Sequence, residues 1–146
     1  MATSRIPRVF LDTNVIISGL HSRDGAPAQI LHLHSTGAIR AVVSQLVLEE
    51  AVRVARAKLP AIQHRLRDWL FAATPEVAAE PRDNDVVEVA AVVNFDDAPI
   101  VAAALAAGVD YFVTGDRRLL REFRVAQTTI TVLTPRELVE RTKRPQ

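Results

Sequence analysis

The sequence predicts an α/β protein built on a mostly parallel sheet. Strand-like apolar runs alternate with helical segments along the whole chain, the pattern of a sheet whose strands are joined through helices. The chain has 146 residues, of which 49% are hydrophobic, with charges interspersed, enough for one domain with a real core and unlike a disordered chain. No repeat, low-complexity tract or linker interrupts it.

The elements follow in order. Arg8–Asp12 is a first strand, and Asp12 can cap the short helix after it. Ala26–Gly37 is a helix, with Pro27 near its start and Gly37 after its end. Ile39–Val43 is a second strand. Ser44 is placed as N-cap of a helix reaching Lys58. Pro60 breaks that helix, and Ala61–Ala73 forms another, carrying Trp69 and Phe71, which are interface candidates but fit a core better. Pro75–Ala79 is a short strand. Asp83 or Asn84 caps a helix over Val86–Val93. Asp96 and Asp97 open a very apolar helix, Ala98–Ala107, closed by Gly108. Asp110–Thr114 is a buried-type strand and Ile130–Leu133 the last one. Thr134, Pro135 and Glu137 then stand at N-cap, N1 and N3 of a final helix.

Composition excludes several classes. There is no cysteine, hence no disulfide framework, thiol nucleophile or Cys-ligated zinc, which fits a reducing cytoplasm. No apolar run is long enough to span a bilayer, and MATSRIPRVF runs into a strand with no signal-peptide h-region. With 18 Lys and Arg against 17 Asp and Glu, the net charge is +1, so a nucleic-acid role needs local basic patches. There is no GxGxxG, GxxxxGK[ST] or HExxH motif. His21, His32, His34 and His64 lack zinc spacing and read as surface residues.

The acids remain. In parallel α/β sheets, sites form outside the carboxyl ends of strands, so residues with chemistry should follow strands directly. Asp12 follows the first strand and Gly115-Asp116 follows DYFVT. Asp12 serves equally as a helix cap or as half of a metal site. On the helix after Ser44, Val47, Leu48, Ala51, Val54 and Ala55 form the apolar face. Glu49 lies opposite, near Arg53 and Arg56. Glu50 lies at the border beside Val54, where it either leans inward and needs a partner or reaches out to water. Asp96 and Asp97 both favour the positive end of their helix, and a pair exceeds what one cap needs. Asp116 is also explained by a turn. Taken together, four carboxylates on separate elements would repel one another if packed close. A divalent cation removes that problem, and an all-oxygen set suits Mg²⁺ or Mn²⁺. Such an ion activates water and steadies a phosphoryl transition state. Asn14, two residues after Asp12, is placed to hold a water or a carboxylate.

The order LDTNVIISGL, SQLVLEEAVRVARAKL, DDAPIVAAALAAGVDYFVTGDRRLL resembles the PIN domain. Within that family it resembles the single-domain VapC-like toxins of type II toxin–antitoxin pairs. The resemblance covers about residues 7–138 and implies a single PIN domain over 1–146. It implies a three-layer α/β/α fold with a central, mostly parallel sheet, and a metal-dependent endoribonuclease using Mg²⁺ or Mn²⁺. Carried over by position, it implies Asp12, Glu50, Asp97 and Asp116 as catalytic and metal-binding residues, with Asn14 and Thr114 supporting them. Glu50 is counted from Ser44, with Glu49 as fallback; Asp97 stands three residues before Ile100; Asp116 is the acid of T-G-D. Many relatives carry another acid where this chain has Arg118, which implies one ion held firmly and a second only with substrate. Asp12, Asp97 and Asp116 would bind the ion, and Glu50 would ligate a second or orient the attacking water. Arg117, Arg118 and Arg121, with Arg124, can meet RNA phosphates or form a solvated helix face.

The resemblance also implies a small antitoxin partner and a homodimer, while the lack of cysteine and of a spanning apolar run points to a cytoplasmic location and no membrane. Two rivals stand beside it. One is a PIN-like binding module without activity. The other is a haloacid-dehalogenase-type phosphatase, which expects a second Asp where Asn14 stands.

Overall fold

Val9, Phe10 and Leu11 of the first strand, β1 (Arg8–Leu11), are buried side by side, so that strand is covered on both faces. The computed structural model describes residues 5–143. After β1 come α1 (Thr13–His21), α2 (Ala26–Ser35), β2 (Arg40–Ser44), α3 (Gln45–Lys58), α4 (Pro60–Ala73) and β3 (Glu76–Ala78). They are followed by α5 (Asp83–Val89), α6 (Ala98–Ala107), β4 (Tyr111–Val113), α7 (Arg117–Val125), β5 (Thr131–Leu133) and α8 (Pro135–Lys143). The five strands form one sheet in the order β3-β2-β1-β4-β5, and every pairing is parallel. Parallel neighbours need crossovers, and helices supply them on both faces, giving the three-layer α/β/α arrangement.

The strand order carries a consequence. From β1 the chain builds outward through β2 to β3, then returns to place β4 on the other side of β1. The order therefore reverses between β1 and β4, and the carboxyl ends of those two strands flank a crevice.

Phe10 and Phe112 are cross-strand partners, and their rings stack with centroids 5.3 Å apart. Phe123 of α7 closes on Phe112 at 5.0 Å, which fastens α7 to that face. Helix α6 is buried along most of its length because Ala98, Val101, Ala102, Ala103 and Ala104 present little bulk. The caps explain several boundaries. The Ser44 hydroxyl accepts from the Val47 amide at 3.2 Å and starts α3. Thr134 and Glu137 form a reciprocal capping box at α8, with the Thr134 amide donating to Glu137 at 2.8 Å and the Glu137 amide to Thr134 at 3.2 Å.

Four expectations change. Helix α5 starts at Asp83 and ends at Val89, and neither Asp83 nor Asn84 caps it. Both acids Asp83 and Asp85 lie inside its first turn, where they favour the helix dipole instead. No side chain caps α6 either, so neither Asp96 nor Asp97 is used in that way. His34 is not a surface residue: its Nδ1 accepts from the Ala41 amide at 3.0 Å and its Nε2 faces the Ala73 carbonyl, which ties α2 to β2 and α4. Trp69 is buried against His34, whereas Phe71, expected in the core, is 82% exposed. No helix among the described residues is long and apolar enough to cross a membrane.

At the amino end of the sheet, Arg8 locks three elements. Its Nε donates to Glu76 at 3.1 Å, Nη2 reaches the second Glu76 oxygen, and Nη1 donates to the Ala107 carbonyl at 2.7 Å. The Arg8 hydrogen bond holds the Glu76 carboxyl below its ordinary range, against a smaller opposing effect of burial. A carboxyl whose pKa is lowered by folding stabilises the fold above its unfolded value, here 4.5, and loses that contribution as the pH falls. Glu76→Gln should therefore cost about 1–2 kcal/mol at pH 7. Urea unfolding at pH 7 and at a series of lower pH values checks this: the two proteins should differ at pH 7, and the difference should shrink as the pH falls below 4.5.

Candidate functional site

The crevice at the reversal point is a cavity of about 390 Å³. Asp12, Glu50, Asp97 and Asp116 all line it, as do Asn14, Asp96 and Ser18. Each of the four acids comes from a different place in the fold. Asp12 follows β1, Glu50 lies in the second turn of α3, Asp97 precedes α6, and Asp116 follows β4. Glu50 is half-buried on the cavity wall and Glu49 is exposed, with an oxygen 3.5 Å from Gln45 Nε2 on the same helix. Helix periodicity thus separates the two glutamates as expected.

Asp12 is the most constrained member, with 8% exposure. Its Oδ1 accepts from the Thr13 amide at 2.8 Å, the interaction of a helix N-cap. Its Oδ2 accepts from the Thr114 hydroxyl at 2.8 Å and from Asn14 Nδ2 at 3.1 Å. Cap and cavity acid are one and the same residue. Burial pushes its pKa up from 3.8 to about 6; the hydrogen bonds from Thr114 and Thr13 oppose the rise, and the charges of Glu50 and Asp97 add to it.

Thr114 and Asn14 carry the connection between the two strand ends. The Thr114 hydroxyl, besides donating to Asp12, accepts from the Asp116 amide at 3.0 Å. Asn14 Oδ1 accepts from the Gly115 amide at 2.8 Å. Gly115 has a steric reason: a Cβ there would stand 3.1 Å from Asn14 Oδ1. Asp116 in turn caps α7, its Oδ1 accepting from Arg118 and Leu119 amides at 2.9 and 3.2 Å. The second Asp116 oxygen is not used by that cap.

Asp97 is held differently. Arg118 Nη2 donates to its Oδ2 at 3.2 Å. Partial burial raises the Asp97 pKa, Arg118 opposes the rise, and the charges of Asp116, Glu122 and Asp96 reinforce it. The loop bearing Asp97 is pinned from α7, where Glu122 accepts from the Asn94 amide at 3.0 Å. Sequence reading missed both the Arg118–Asp97 pair and the Glu122 hydrogen bond. Each joins α7 to the approach to α6 across more than twenty residues, and no local pattern marks such a pairing. Arg117 and Arg121 are exposed on α7, one turn apart.

The donor chemistry fits a hard divalent cation, because every candidate ligand is an oxygen and the crowded carboxylates gain from a positive charge. The acids are spread around the cavity rather than closed on one point. Among the described residues no group of three His, Asp or Glu side chains forms a ready-made ion cluster.

The sequence matches the family model described as PIN domain over residues 8–118. Two solved structures share the fold. VapBC2 from Rickettsia felis, solved bound to a DNA fragment from their promoter, superposes with a TM-score of 0.66 at 16% identity, covering 87% of this chain and 98% of that one. PAE2754 from Pyrobaculum aerophilum gives 0.62 at 21% identity, covering 93% and 95%. No curated protein matches the sequence.

The buried charge of Asp12 predicts a stability effect. A raised carboxyl pKa means that the ionised form is penalised above about 6, and that the penalty fades as the pH falls toward 3.8. Asp12→Asn removes it, while the new amide loses its fit to Asn14 Nδ2. The variant should be about 1–2 kcal/mol more stable than wild type at pH 7.5 in EDTA. Urea unfolding at pH 7.5 and pH 4 checks the sign: the advantage should shrink at the lower pH.

Proposed function

The chain belongs to the PIN-domain family, and from that premise we propose that it is a metal-dependent endoribonuclease, the toxin of a toxin–antitoxin pair. One observation carries the reading: four acids from four separate elements line one cavity at the point where the strand order reverses. Hydrolytic nuclease chemistry on Mg²⁺ or Mn²⁺ is what such an all-oxygen set serves best. On this reading the chain is one PIN domain, with its core over about residues 7–138.

Asp12, Asp97 and Asp116 would hold the ion, and Glu50 would hold a second or orient the attacking water. A bound Mg²⁺ or Mn²⁺ offsets the carboxylate charge and polarises both the phosphodiester and the water. The remaining work belongs to the chain. Thr114 and Asn14 fix the Asp12 carboxylate by hydrogen bonds, so its orientation is set before substrate arrives. Asn14 also holds Gly115, which keeps the β4 turn and Asp116 in register with β1. Arg118 holds Asp97 Oδ2 at 3.2 Å, and were Asp97 to take an ion instead, Arg118 would be free to face RNA beside Arg117 and Arg121. Hydrolysis by activated water requires no covalent side-chain nucleophile.

The antitoxin partner is supported by the likeness to VapBC2, whose structure includes promoter DNA. A cytoplasmic location and a homodimer complete the proposal. A second reading, a PIN-like binding module without activity, draws on the same Arg118–Asp97 pair, since a resident guanidinium occupies a carboxylate that catalysis needs.

Cleavage of a mixed, structured RNA pool in Mn²⁺, Mg²⁺ or EDTA tests the proposal. Wild type should cut with either metal and not with EDTA. Asp12→Asn and Asp116→Asn should lose roughly two orders of magnitude or more in rate. Glu50→Gln should lose far more than Glu49→Gln. Full activity in Asp116→Asn would overturn the site assignment, and failure of wild type to bind Mn²⁺ in calorimetry would favour the inactive module.

A further inference from the structure

Asp116 separates two cavities. On one side lies the acid cleft. On the other, at the carboxyl ends of β4 and β5, lies a second cavity of about 430 Å³. Thr114, Gly115 and Asp116 form its inner wall, Leu120 and Pro135 its apolar sides, and Arg117 and Arg136 its charge. The two arginines come from different helices, α7 and α8, and converge on one space.

Their surroundings distinguish them from Arg118 and Arg124 nearby. Arg118, the next residue along, points to the acid cleft and pairs with Asp97. Arg124 is taken by Glu137 at 2.8 Å and by the Val132 carbonyl. Neither Arg117 nor Arg136 has an acidic partner within 4.0 Å among the described residues. The helix ends themselves contribute little, because Asp116 caps α7 and the Thr134–Glu137 box caps α8. The guanidinium groups are what the cavity offers, and their planar forks match the paired oxygens of a phosphate.

We infer that this second cavity is a phosphate subsite of the RNA substrate, with Arg117 and Arg136 gripping the backbone phosphate next to the one that is cut. The inference rests on the reading of the acid cleft as the cutting site. Because the cavities share Asp116, a strand crossing that residue presents one phosphate to the acids and its neighbour to the arginines. An ion held by the acids would offset the repulsion that Asp116 exerts on both phosphates. Two adjacent residues thus differ in what they touch: Arg118 pairs with Asp97, and Arg117 lines the second cavity. The arrangement also gives Arg136, outside the region matched by the family model, a role in positioning substrate.

The test is fluorescence anisotropy of a labelled, mixed-sequence single-stranded RNA with Mn²⁺ present. It is run in a Glu50→Gln background so that the RNA stays intact. Arg117→Gln and Arg136→Gln should each weaken binding several-fold, and the double variant by roughly tenfold or more. The slope of log affinity against log salt should fall by about 0.7 for each phosphate that is no longer gripped. Arg67→Gln, an exposed arginine on α4 beside Asp68, is the control and should change neither. A double variant that binds within twofold of its parent, with the same salt slope, overturns the subsite while leaving the nuclease reading intact. A parent that binds no RNA, together with a wild type that cuts none, overturns both.

Discussion

The rest of the site depends on one buried carboxylate. Asp12 is taken out of water at the end of a fully buried strand, and that is costly unless its lone pairs are satisfied. Three donors do so: the Thr13 amide, the Thr114 hydroxyl and Asn14 Nδ2. Each donor is committed elsewhere as well. Thr13 begins α1, Thr114 directly follows β4, and Asn14 braces Gly115. Satisfying Asp12 therefore holds two strand ends in fixed relation, and everything that approaches the cavity approaches a surface already set. The hydrogen bonds do not cancel the cost of burial, and the pKa stays raised at about 6. That residual cost of holding a buried carboxylate ionised is what a cation would relieve.

The two ends of the sheet divide stability from chemistry. Arg8 gathers Glu76, the Ala107 carbonyl and, through its backbone amide, Asp110 at the amino ends of the strands. Those groups are paired and far from the cavity. At the carboxyl ends the acids are left partly unpaired, and one arginine, Arg118, offsets the charge of Asp97. Such a polarity is what a parallel sheet offers, since all its strands finish on the same side. Helix α7 is the link. It is fastened to the core by Phe123 on Phe112, is started by Asp116, pins the Asp97 loop through Glu122, and carries the arginines on either side of the cavity wall.

Much of this was legible in the sequence, because the informative signals are local. Alternating apolar runs and helical segments indicated the α/β class, and Ser44, Thr134, Pro135 and Glu137 marked helix starts that the structure reproduces. The spacing of Glu50 against Val47, Ala51 and Val54 placed it on the cavity side and Glu49 in solvent. Asp12 and Asp116 were found by the rule that chemistry follows strands. Local signals also misled where two uses competed. Asp83 sits inside a first turn instead of capping it, and His34 is held by the Ala41 amide and the Ala73 carbonyl rather than facing water.

By itself the sequence determined the fold class and the order of the elements, since periodicity, caps and strand ends act over a few residues, and it offered the acids from which the PIN-domain resemblance picks four. Only the tertiary structure decided that those acids share one cavity, that Arg118 is paired with Asp97, and that Arg117 and Arg136 face a common space. These depend on the strand order β3-β2-β1-β4-β5, which brings residues a hundred positions apart within hydrogen-bond reach. No spacing along the chain encodes that order. It is set by which faces bury best when the whole sheet closes.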